Sequence, residues 1–214
     1  MPQAASGPFP GPFFAFLRAL EKNNNRTWFE AHKDDYVREV RDPLLRFIAN
    51  LAPKLKTISP HIVADPRPNG GSMFRIYRDV RFSKDKRPYK TAASAYFRHA
   101  AGKDVHAPGY YLHLGPKTVY MGAGIWQPDA GALAAIRNAI VESPAAYKRT
   151  SSSKAFRETM RPGGESLKRP PRGFDPDHPH AEAGSANFEN DFLAGCRTAK
   201  PLMKFITGAL DLEF

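Results

Sequence analysis

The sequence predicts an α+β fold: a central antiparallel sheet of about four strands over residues 73–126, flanked by N-terminal and C-terminal helices. Two observations lead there. Apolar residues recur at helical spacing up to Leu55, alternate between Met73 and Trp126, and return to helical spacing from Leu133 onward. The alternating stretch also contains a connection, Gly115-Pro116-Lys117, short enough to join antiparallel neighbours. No repeat or composition shift marks a boundary. Residues 12–214 therefore read as one domain behind a loose, Pro- and Gly-rich tail at 1–11.

The first helix is predicted from Pro12 to Lys22, where Phe13, Phe14, Phe16, Leu17 and Leu20 share a face. Asn23-Asn24-Asn25 ends it, because asparagine side chains compete for backbone hydrogen bonds. Thr27-Trp28-Phe29-Glu30 has the form of a capping box and opens a helix with Phe29, His32, Tyr36 and Val40 in one stripe. Asp42-Pro43 reads as a cap and first helical residue, starting a helix whose buried face is Leu44, Leu45, Phe47, Ile48, Leu51 and Leu55. Residues 57–72, rich in Pro and Gly, form a connection.

Strands are expected at 73–82, 93–99, 110–114 and 118–126. In the first, Phe74, Ile76, Val80 and Phe82 are assigned to the core, and Arg75, Tyr77, Asp79 and Arg81 to the other face. The third sets Tyr111 and His113 against Tyr110, Leu112 and Leu114; the fourth sets Tyr120, Gly122, Gly124 and Trp126 against Val119, Met121, Ala123 and Ile125. Asp129 is the cap of a helix with Leu133, Ile136 and Ile140 inward. Ser143-Pro144 starts a short helix through Tyr147, and Ser153 caps another. Residues 161–187 read as a long loop or wrapping arm, and Thr198 as the cap of a final helix.

A formal net charge of +11 suits an anionic partner, and serves solubility equally well. The single cysteine, Cys196, excludes an intrachain disulfide and a thiolate metal cluster; it reads as a buried small hydrophobe. No apolar run is long enough to cross a bilayer and no secretory signal opens the chain, so the expected location is cytoplasmic, without membrane contact. Asp175, Asp177, His178 and His180 sit in a Pro-rich stretch that reads as a solvated turn, and no metal is expected. The chain has none of the phosphate-loop, dinucleotide, nucleophile-elbow or zincin motifs. Cofactor and oligomeric state are not legible.

The densest chemical signal is Phe74 to Thr91, with seven basic residues against two acids. Arg75, Arg78, Arg81, Lys84, Lys86 and Lys90 are candidate anion ligands, since guanidinium groups grip phosphate or carboxylate bidentately and lysines add point charge. Tyr77, Tyr89, Tyr111 and Trp126 supply stacking surface; Asp79 and His113 are the candidate proton-transfer groups. Arg78 falls on the apolar alternation, so it must be paired, at an edge or at a bulge.

Four stretches carry a resemblance: Asn23-Asn-Asn-Arg-Thr-Trp-Phe29, Phe74-Arg-Ile-Tyr-Arg-Asp-Val-Arg-Phe-Ser-Lys-Asp-Lys-Arg-Pro-Tyr-Lys90, Gly109-Tyr-Tyr-Leu-His-Leu114 and Gly122-Ala-Gly-Ile-Trp126. From about residue 13 to the C-terminus the chain resembles a family of conserved hypothetical proteins, bacterial with fungal members, known as a domain of unknown function. The family pattern often has a third glycine where this chain has Ala123, on the core alternation. The resemblance implies a one-domain bacterial protein and brings no activity, cofactor or catalytic residue.

Three readings stay open: a site, enzymatic or not, for a phosphorylated or carboxylated small molecule; a nucleic-acid-binding module using the basic loop 84–90 with Tyr89 and Trp126; and a structural protein whose charge ladder binds no ligand.

Overall fold

A computed structural model of the chain describes residues 7–103, 106–160 and 188–214. Helix α1 (Gly11–Lys22) buries Phe13, Phe14, Phe16, Leu17 and Leu20, as its spacing requires. A short helix α2 (Arg26–Ala31) follows, capped by the Asn25 side chain, which accepts from the Trp28 amide. Thr27 lies inside this helix, so the expected capping box at Thr27 is displaced by two residues.

Helix α3 (Lys33–Tyr36), a π turn (Val37–Arg41) and helix α4 (Asp42–Lys56) run on without a break. Asp42 is helical rather than a cap, and its amide donates to the Val37 carbonyl. Pro43 has no N–H to offer the preceding turn, and the wider π turn just before it accommodates that loss.

The expected sheet of about four strands is corrected to three: β1 (Ala93–Arg98), β2 (Gly109–Leu114) and β3 (Val119–Gly124), antiparallel in that order. The stretch expected as the first strand does not continue as one. The Phe74 amide bonds the Ser94 carbonyl beside β1, but the chain then turns away, and Arg78 and Lys90 bond the Pro88 and Ile76 carbonyls. Residues 76–78 thus pair with 88–90 and not with the sheet. Alternation fails with the ladder: Ile76 is buried, whereas Phe82, assigned to the core, is 94% exposed.

Helix α5 (Ala130–Glu142) is capped by Asp129, which accepts from Ala132, and α7 (Lys154–Thr159) by Ser153, which accepts from Phe156. Between them α6 spans Pro144–Ser152. The last helix, α8 (Phe188–Ala209), begins before Thr198 and carries Pro201 inside it, so Thr198 is not its cap. The loop expected at 161–187, with the Asp175–His180 cluster, lies outside the described residues.

Helix α8 lies beneath the whole sheet. Phe192 packs on Phe97 of β1 at 5.5 Å, the Tyr110 hydroxyl of β2 donates to the Cys196 carbonyl at 3.2 Å, and Gly195 meets Met121 of β3. A Cβ at Gly195 would overlap Met121 Sδ, so the thioether occupies the space that this glycine leaves on the helix. Phe9, from the expected loose tail, is fully buried against Phe13, Phe47 and Phe188. Cys196 is buried, and burial pushes its thiol pKa up. Among the described residues no helix is long and apolar enough to cross a membrane.

Candidate functional site

The sheet face turned away from α8 is set by register. Tyr111 and His113 of β2 stand opposite Gly122 and Tyr120 of β3 and opposite Tyr96 and Ser94 of β1. The sequence's division of β2 and β3 into two faces therefore holds. His113 stacks on Tyr120 with 4.7 Å between ring centroids and 18° between planes. The Tyr111 hydroxyl meets His113 Nδ1 at 3.2 Å. Burial lowers the His113 pKa, so the imidazole is neutral at pH 7. Tyr120 is pushed up to about 12 by burial and then by the neighbouring Tyr111.

Gly115 makes room for this imidazole: a Cβ there would sit 2.8 Å from His113 Nε2. Next along the face, the Phe74 ring lies 6.1 Å from Tyr111, and Lys90 Nζ lies 5.1 Å from the Phe74 centroid. Burial lowers the Lys90 pKa, and the charge of Arg75 lowers it further. Lys90, Phe74, Tyr111, His113 and Tyr120 thus form one continuous group, with Arg75 close enough for its charge to act on Lys90.

The other arginines of the segment are neutralised locally. Arg81 grips Asp79 through Nε and Nη2, and its amide donates to the same carboxylate. Arg87 does the same to Asp85, and Arg67 to Asp65, so the chain builds one Asp-x-Arg arrangement three times. Arg78 adds a 2.6 Å bond to Asp85, which satisfies the requirement that it be paired. Lys86 donates to the Val80 carbonyl. Hydrogen bonding from Arg81 lowers Asp79 to about 2, so this exposed carboxylate is ionised and occupied. Arg75 and Lys90 have no ion pair with a described residue, and Lys84 is exposed.

Of the residues singled out in the sequence, Arg75, Lys90, Tyr111 and His113 come together. Arg78, Arg81, Lys86 and Asp79 belong to the self-paired loop. Tyr89 is 2% exposed and stacks on Phe29 at 4.1 Å, facing the core. The Asn24 side chain fixes it, donating to the Tyr89 carbonyl at 3.0 Å and accepting from its amide at 3.1 Å. Tyr77 is exposed over Tyr89 and Phe29. Trp126 is exposed beyond the far end of β3. Sequence reasoning missed Tyr120 and Phe74 as site residues. Tyr120 was readable from its alternation with Gly122, whereas Phe74 was hidden by its assignment to the core.

A shallow hollow of about 650 Å³ lies elsewhere, lined by Phe16, Trp28, His32, Asp35, Arg38 and Glu39 among others. Its arginine is already bound by both of its acids, so it offers no free charge. Among the described residues no group of three His, Cys, Asp or Glu side chains could hold a metal ion.

The family model described as "Conserved hypothetical protein (DUF2461)" matches residues 12–201. The chain belongs to this family. The match takes in the sheet, the helices up to residue 201 and every residue of the group from Lys90 to Tyr120. Comparison with curated proteins and with solved structures finds no match.

Proposed function

We propose that the outward sheet face binds a phosphorylated or carboxylated small molecule, with Arg75 and Lys90 taking the anion and Tyr111, His113 and Tyr120 walling the site. Unequal neutralisation carries this reading. Arg78, Arg81 and Arg87 each hold a carboxylate in a salt bridge, whereas Arg75 and Lys90 lie within each other's field and form no salt bridge with a described residue, Asp79 reaching Arg75 only through its charge while Arg81 grips it. Bringing two cations together beside an aromatic surface is unfavourable by burial and by repulsion, and a bound anion offsets both.

His113 is the proton-transfer group best suited to this site, because it is neutral and its Nδ1 is oriented by Tyr111. Asp79 is committed to Arg81. The nucleic-acid reading needs Tyr89 as a stacking platform, and Tyr89 faces the core.

Thermal unfolding at fixed ionic strength tests the proposal. Inorganic phosphate or citrate should raise the melting temperature of the wild type relative to chloride, and Arg75→Ala and Lys90→Met should abolish the rise. A wild type that melts identically in all three salts removes the reading.

A further inference from the structure

The glycines of the sheet differ in what the fold asks of them. A Cβ at Gly109 would lie 2.6 Å from the Phe97 carbonyl oxygen and 2.8 Å from the Tyr96 ring, and Gly124 has a φ of +148°. Gly122 has neither reason. It adopts no left-handed backbone conformation, and a Cβ there would meet only Tyr111 Cβ, at an ordinary 3.7 Å. A glycine inside a strand weakens it, and one reason for tolerating that loss is close approach by a ligand.

Gly122 lies on the same face as Tyr120, two residues before it, and opposite Tyr111. Its missing side chain leaves flat backbone beside the 44% exposed Tyr120. This flat patch and the cations stand at opposite ends of the aromatic row. Lys90 Nζ is 5.1 Å from the Phe74 centroid, and that centroid is a further 6.1 Å from the ring of Tyr111.

We infer that the molecule bound at Arg75 and Lys90 carries a planar ring, set off from its anionic group by a spacer, and that this ring lies on β3 at Gly122 against Tyr120. The inference rests on the anion site proposed above. A nucleoside monophosphate has this layout: phosphate, sugar spacer, flat base. The cations hold the phosphate, the row of Phe74 and Tyr111 runs beside the spacer, and the base covers the bare backbone.

Calorimetric titration of the full chain with ribose 5-phosphate and adenosine 5′-monophosphate tests it, since the two differ by the base alone. The nucleotide should bind about tenfold tighter, the scale of one base stacked on an aromatic surface. Gly122→Val should narrow that ratio to about one while the melting temperature holds or rises, because the backbone suits a β-branched residue. Should valine unfold the chain, Gly122→Ala adds only the ordinary contact above and should still narrow the ratio several-fold. Equal affinity of the wild type for both compounds, or a full preference retained in the Gly122 variants, overturns the ring platform and leaves the anion site standing. Binding of neither compound overturns both.

Discussion

The Tyr111 hydroxyl meets Nδ1 of His113 across 3.2 Å, and the imidazole it holds lies nearly flat on Tyr120. Burial holds the His113 pKa below its ordinary 6.5, so the folded chain binds fewer protons here than the unfolded chain. The stabilisation is therefore complete above about pH 6.5 and is lost as the pH falls through the folded value. Melting temperatures between about pH 5 and 7 should fall toward acid, with a shallower slope in His113→Gln. An unchanged slope in that variant would assign the pH dependence elsewhere.

Asp79 and His113, equal candidates in the sequence, should separate on mutation. Asp79→Asn removes a carboxylate whose salt bridge is to Arg81 at the surface and which reaches Arg75 by charge alone, so melting temperature and phosphate response should both persist. His113→Gln should weaken the phosphate response. The same thermal measurement reads both variants.

Gly115→Ala should act on the site through His113. The added Cβ would lie 2.8 Å from Nε2 and 3.2 Å from the Thr118 carbonyl oxygen, so the imidazole must shift. A loss of about 1–3 kcal/mol is expected in urea unfolding, together with shifted imidazole resonances in NMR.

Tyr89 should behave as a core residue. Tyr89→Ala should cost about 3–5 kcal/mol in urea unfolding, as for other large aromatic truncations, while Tyr89→Phe keeps the stack on Phe29 and should be nearly neutral. Loss of nucleic-acid binding in Tyr89→Phe, with stability retained, would instead give the hydroxyl a role at the surface.

The helical faces were legible because one stripe of apolar residues per helix leaves little choice of orientation, as in α1 and α4. The two faces of β2 and β3 were legible for the matching reason, alternation beside a short turn. Residues 73–82 misled because period two describes a strand only while one neighbour takes its hydrogen bonds. Here β1 takes those near Phe74 and residues 88–90 take those near Tyr77. The repeated Asp-x-Arg spacing was visible in the sequence and would have marked Arg81 and Arg87 as locally neutralised. Tyr89 was not recoverable, since its burial depends on Phe29 and Asn24, about sixty residues earlier.

Asn24 stands in for a neighbouring strand, its amide closing both backbone bonds of Tyr89 from the turn after α1. Lys90, the next residue, follows this latch and bonds the Ile76 carbonyl through its own amide. Fraying of that one turn would free the backbone of Tyr89 while Lys90 keeps its own bond to the Ile76 carbonyl, and amide hydrogen exchange at Tyr89 would register it as an opening cheaper than global unfolding.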